Sequence, residues 1–240
     1  MTARRLAALV LALAGLQALA AQAAAPLPDD VPDDAIVKPW TGVPDRSLVA
    51  WVDYQSTTSD QTAGGATPSG PTVPDVVDLT VLVVQTSTGR ALQRVEHKKV
   101  FDSLALQFDH VDFDTADYAL EPGRRAFGVR VFGRHLGYEA EDTTTLLLFE
   151  PDGAALRQVL RLEVQSHLAT RDCGPGHDVA RTVAVAPTAT QGHADLVVRE
   201  RREDVADGSA HPADCHPHPR RSARTVTLRF DGRRYGDLPR

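Results

Sequence analysis

"VVDLTVLVVQ" (76–85) is a Val/Leu run of strand length, closed by Ser87-Thr88-Gly89, and it sets a pattern that recurs along the chain. A short apolar run between turn residues, rich in β-branched side chains, suits a pleated surface better than a helix. The same layout is found in "SLVAWVDYQ" (47–55), "RAFGVRVF" (125–132), "TTTLLLFE" (143–150), "RTVAVAP" (181–187), "ADLVVRE" (194–200) and "RTVTLRF" (224–230). In "LALQFDHVDFD" (104–114), Leu104, Leu106 and Phe108 alternate with Ala105, Gln107 and Asp109. Phe127, Val129 and Val131 fall on one face, and so do Val226, Leu228 and Phe230. Pro151-Asp152-Gly153 reads as a hairpin turn, and Asp231-Gly232 turns the chain toward Tyr235. "AALRQVLRLEVQSHL" (154–168) fits both periods: Leu160, Leu162 and Val164 alternate, while Leu156, Val159 and Leu160 have helix spacing. The Asp-Gly turn before it favours the strand. The chain is therefore expected to be all-β, with about eight to ten strands in an antiparallel sandwich or propeller-like sheets.

Two segments stand outside this pattern. Residues 24–46 carry Pro26, Pro28, Pro32, Pro39 and Pro44 among Asp29, Asp30, Asp33 and Asp34. So many prolines exclude a regular helix or a central strand, and the reading is an extended, flexible leader. "STTSDQTAGGATPSGPTVP" (56–74) has little to bury and reads as a flexible loop. Residues 47–240 are then a single β-rich domain.

The first 23 residues have the layout of a Sec-type signal peptide. Arg4 and Arg5 are followed by an apolar stretch from Leu6 to Ala20 and the small-x-small site Ala21-Gln22-Ala23. The apolar stretch is short of the ~20 residues a membrane helix needs. The cysteines, Cys173 and Cys215, lie far from the cleavage site, so a lipid-modified N-terminus is not expected. These features predict a periplasmic or secreted protein with no integral membrane segment after cleavage. Loss of Arg4 and Arg5 leaves 24 basic against 32 acidic side chains. That balance argues against nucleic acid as a partner, because phosphate-backbone binding needs a positive surface.

The densest group of potential ligands is "HPADCHPHP" (211–219). With Cys173 and His177 upstream, His211, Asp214, Cys215, His216 and His218 could surround copper or zinc, which suit sulfur and imidazole. The spacing matches no standard zinc finger. In an oxidising compartment the simpler reading is a Cys173–Cys215 disulfide. Closing that roughly 43-residue loop stabilises the fold by about 4 kcal/mol in the chain-entropy model, less any strain. His177, His211, Asp214, His216 and His218 could still bind copper or zinc weakly beside the disulfide. Asp109, Asp112, Asp114 and Asp117 lack the glycine and distal glutamate of a calcium loop and read as a solvated strand edge. Arg124, Arg125 and Arg130 are answered by nearby acids, so no anion site is expected there. No Gly-x-Ser-x-Gly elbow occurs, and no catalytic residue is assigned.

"DTADYAL" and "AFGVRV" (114–131), with "GHADLVV" and "TLRFDGRRY" (192–235), resemble exported β-rich bacterial proteins. Gly-x-x-Asp-Leu-Val-Val followed by Phe-Asp-Gly-x-x-Tyr also resembles integrin-type propeller repeats. The resemblance covers about half of the mature chain. It implies location and class, and no reaction; the Asp-x-Asp-x-Asp-Gly calcium loop is missing. The leading expectation is a binding or envelope-associated module for an unidentified ligand or envelope protein. Metal handling by the histidine loop and a carboxylate-based hydrolase are the alternatives.

Overall fold

In a computed structural model, the structure describes residues 25–55, 76–102, 106–136, 139–170, 174–205 and 219–239. Eleven strands and no helix are found among them: β1 (Ile36–Pro39), β2 (Arg46–Gln55), β3 (Val76–Gln85), β4 (Ala91–Asp102), β5 (Gln107–Glu121), β6 (Arg124–Leu136), β7 (Glu139–Asp152), β8 (Ala155–Thr170), β9 (Gly176–Thr190), β10 (His193–Val205) and β11 (Pro219–Leu228). The all-β reading therefore holds, and the ambiguous 154–168 segment is strand. Its hairpin turns at Gly153, as the Pro-Asp-Gly signal requires.

One continuous sheet runs β1-β2-β3-β4-β8-β7-β6-β5, and β9, β10 and β11 branch from the far half of β8. All pairings are antiparallel except β4–β8, which is parallel and rests on a single pair, Arg94 with Ala155. The sheet is mixed and not closed.

Side-chain alternation divides the structure into layers. Leu147 and Phe149 of β7 pack with β2, β3 and β4, while Leu146 and Leu148 pack with β10 and β11. All four are fully buried. A strand covered on both faces reads as an uninterrupted apolar run, and "LLLF" is that run. The β5–β8 wall thus has the β1–β4 wall on one face and β9–β11 on the other.

The Pro/Asp-rich leader is part of this fold from residue 25, which corrects the expectation of a flexible segment. Leu27, Val31 and Ala35 cover Val49, Trp51, Leu82 and Val84 on the outer face of β2 and β3. Asp30 pairs with Arg94, whose guanidinium lies 5.4 Å from the Trp51 ring centroid. The chain crosses Gly89 so closely that a Cβ there would sit 1.7 Å from the Pro26 carbonyl oxygen. The prolines do exclude a central position: β1 is an edge strand, paired to β2 alone.

β4 carries an irregularity with a clear local cause. Val77 pairs with Phe101 and Leu79 with His97, so β4 has extra residues opposite Asp78. Lys99 in that bulge has a φ of 52°. The Asp78 carboxylate, almost fully buried, accepts hydrogen bonds from Lys99 N (2.8 Å), Lys98 Nζ (3.1 Å) and Gln55 Nε2 (2.5 Å). The backbone N–H of Lys99 is the main reason that Asp78 is held below the usual carboxylate range; burial opposes it. A lowered folded-state pKa contributes stability above the unfolded value, about 3.9, that is lost as pH falls through the folded one. Asp78→Asn is expected to cost about 1–3 kcal/mol at neutral pH. It should also flatten the acid limb of stability against pH, measured by urea unfolding between about pH 7 and pH 3. An unchanged acid limb would show that Asp78 is not the ionised cap of the bulge.

Candidate binding site

The two ends of the eight-strand path, β1 and β5, come side by side without a ladder between them among the described residues. Side chains join them. Lys38 donates to Asp112 at 2.6 Å, and Arg125 at the start of β6 bonds Asp117 at 2.5 Å while its guanidinium lies over Gly42. A Cβ at Gly42, where φ is +77°, would come within 2.7 Å of Arg125 Nη1. That backbone favours glycine, and a side chain there would have to displace the Arg125 guanidinium. The β1–β4 and β5–β8 walls therefore enclose a core between them, as an incomplete barrel would.

At one end this barrel opens into a cavity of about 800 Å³. The β1–β2 loop, the β5–β6 turn and the β7–β8 turn surround it. Trp40 stands at its floor, 8% exposed, and its ring meets Phe127 edge-on at 5.2 Å. Phe127 in turn contacts Phe113 and Phe149, so the floor is continuous with the core. Val43, Val83, Leu92 and Pro151 supply further apolar wall, and Gln93 bonds the Gly153 carbonyl at the rim.

Four ionic side chains line the same space: Arg46, Glu121, Arg124 and Arg125. Arg125 is two positions from the inward-facing Phe127, and Arg46 two from the inward-facing Leu48, so strand alternation starts both side chains on the inner face, and each is about one-third exposed at the mouth. Asp45 is the carboxylate nearest to Arg46 in the ion pairing, at 3.9 Å. Asp45 is itself engaged by Gln85 Nε2, Ser87 N and Ser87 Oγ, and the Gln85 bond leads in holding it below the usual range. Arg124 meets Glu121 at 3.1 Å.

Glu121 links the cavity to a buried charge cluster. Its Oε1 lies 3.0 Å from His193 Nδ1, a close contact that does not meet hydrogen-bond geometry. His193 Nε2 is 3.0 Å from Glu150 Oε2, and Arg157 engages Glu150 Oε1. The imidazole stacks on Phe230 at 3.7 Å, and the Arg157 guanidinium lies 5.7 Å from the same ring centroid. Phe230 is bridged to Tyr235, whose hydroxyl donates to the Ala194 carbonyl at 2.6 Å.

The residues singled out in the sequence are distributed differently. Cys173, Cys215, His211, Asp214, His216 and His218 lie outside the described residues. His177 is described: its Nε2 is 2.9 Å from Ser166 Oγ, and it faces Asp204 across the β9–β10 ladder. Among the described residues no three His, Cys, Asp or Glu side chains are grouped to hold a metal ion. The aspartates of β5 are each met by a cation or an imidazole: Asp109 by His110, Asp112 by Lys38, Asp114 by Arg130 and Asp117 by Arg125. For Asp112, burial pushes the carboxyl up, but Lys38 and the Phe113 N–H outweigh it and leave it below the usual range. Glu121 and Glu150 approach each other across His193, and the imidazole fills the gap that a glycosidase leaves for sugar or water.

Sequence reasoning missed Trp40 and Arg46. Trp40 is a lone aromatic inside the Pro/Asp-rich segment, and that mismatch was the available signal. Among the described residues no helix is long and apolar enough to cross a membrane. Comparison of the chain with protein-family models, with curated proteins and with solved structures gives no match.

Proposed function

We propose that this chain is an exported β-protein that binds a small molecule in the open end between its β1–β4 and β5–β8 walls. The observation that carries the reading is the cavity of about 800 Å³ with an apolar floor and a few convergent polar groups. Ligand sites of this size and lining occur in the mouths of β-barrels. Export rests on residues 1–23.

The strand ends favour the Cys173–Cys215 disulfide that an oxidising compartment would allow. Gly176 and Pro219 both pair with Val205, from opposite sides of β10. Two strand spacings separate them, about 10 Å. Cys173 precedes Gly176 by three positions and Cys215 precedes Pro219 by four, so short lengths of chain separate each thiol from neighbouring strand ends.

Native mass spectrometry of the exported protein tests the reading. The expected species starts near residue 24, is lighter by two hydrogens than the reduced chain, and retains or takes up an apolar small molecule. Val43→Trp, which fills the opening, is expected to abolish that uptake while leaving the fold intact by circular dichroism. Uptake that survives Val43→Trp would place binding elsewhere, and a mature mass that includes residues 1–23 would overturn export.

A further inference from the structure

Resting on that reading, we infer that the cavity selects an amphipathic organic anion, a carboxylate or sulfonate on an apolar body. The argument is one of charge and register. Three guanidiniums, those of Arg46, Arg124 and Arg125, and one carboxylate, that of Glu121, line a space whose other walls are apolar apart from Gln93 and backbone. Glu121 is already shared between Arg124 and His193. Arg125 is tied to Asp117 on the rim, and that bond uses one of its donors. Arg46 is the least satisfied. Its hydrogen bond goes to the Asp45 carbonyl oxygen, and the Asp45 carboxylate stands off at 3.9 Å, held by the β3–β4 turn. A guanidinium has five N–H donors in a planar fork that matches a carboxylate or sulfonate. Two such forks, one from β2 and one from β6, line the same cavity as Trp40. An anionic head between Arg46 and Arg125 would leave the rest of the molecule against Trp40, Val43 and Leu92. A neutral molecule of the same shape would gain the apolar contacts but leave the guanidiniums competing with water.

The test compares two fluorescent probes of like shape, anilinonaphthalene sulfonate and its neutral counterpart phenylnaphthylamine, on the full mature protein. The sulfonate is expected to bind with one-to-one stoichiometry and about tenfold more tightly than the amine, the margin that a charge-assisted hydrogen bond confers. Energy transfer from tryptophan to the bound probe should fall in Trp40→Phe, with Trp51 as the remaining donor. Arg46→Gln should erase the advantage of the sulfonate without weakening the amine, and added salt should act in the same direction. Equal binding of both probes, indifferent to Arg46→Gln but sensitive to Trp40→Phe, would overturn the anion preference and leave the binding reading standing. Sulfonate binding indifferent to both substitutions would place the probe outside the cavity and overturn the proposal. Binding of neither probe would count against both the preference and the cavity as a binding site.

Discussion

Phe149→Ala is expected to destabilise the chain by about 3–5 kcal/mol, a large share of the stability of a domain this size. Phe149 is fully buried in β7, the strand covered on both faces. Its ring lies 5.9 Å from Phe127, which is itself wedged against Trp40 and Phe113. Removing it leaves a hole lined by both the β1–β4 and the β5–β8 walls, and neither can move in without breaking its contacts on the other side. The cost should therefore fall in the upper part of the range for an aromatic deletion. Val37→Ala is the useful comparison, because Val37 is 45% exposed on the edge strand β1 and its loss should cost within about 0.5 kcal/mol. Urea unfolding of both variants decides the matter. A loss of under about 1 kcal/mol for Phe149→Ala would mean that the two faces of β7 are not both closed.

The second large effect is electrostatic. Arg157→Ala is expected to cost about 3 kcal/mol, because it strands the Glu150 carboxylate, 1% exposed, with only His193 for a partner. Glu150 is the main reason that the Arg157 guanidinium is held above its usual range. The penalty comes from leaving a charge buried without a partner, so removing both charges should restore much of it. Glu150→Leu combined with Arg157→Met is thus expected to be more stable than Arg157→Ala alone, although it carries one more substitution. If the double variant were the less stable of the two in thermal unfolding, the cluster would be contributing more than the burial of Glu150 requires. Arg157 is 33% exposed, and water reaching the vacated space limits the cost of the single change.

Much of this fold could be read from residue pattern. The run 76–85 is β3 with the same bounds, and the uninterrupted "LLLF" of β7 marks a strand with two covered faces. β4 was not legible. "ALQRVEHKKVFD" has few apolar positions, and its place depends on Asp78, Val77 and Leu79 across the sheet. β1 was hidden by the prolines in and around it, which forbid a central strand but permit an edge. The acids of β5 read as a solvated strand edge, yet cationic partners come to them from β1 and β6, and sequence distance conceals Lys38. The cavity was least legible for the same reason. Trp40, Arg46, Leu92 and Arg125 are brought together only when β1 and β5 meet, and no local period records that meeting.

The single parallel contact between β4 and β8 has a consequence for how the chain is assembled. As the polypeptide is made, β1 to β4 emerge first, with a valine-rich inner face and an unpaired β4 margin. The wall that covers that face is not complete until β8 has followed, some sixty residues later in sequence. Such long-separated contacts slow folding and prolong the exposure of sticky surface. Completion of this sheet therefore waits on a late strand, and the β1–β4 segment needs either shelter or speed until that strand arrives.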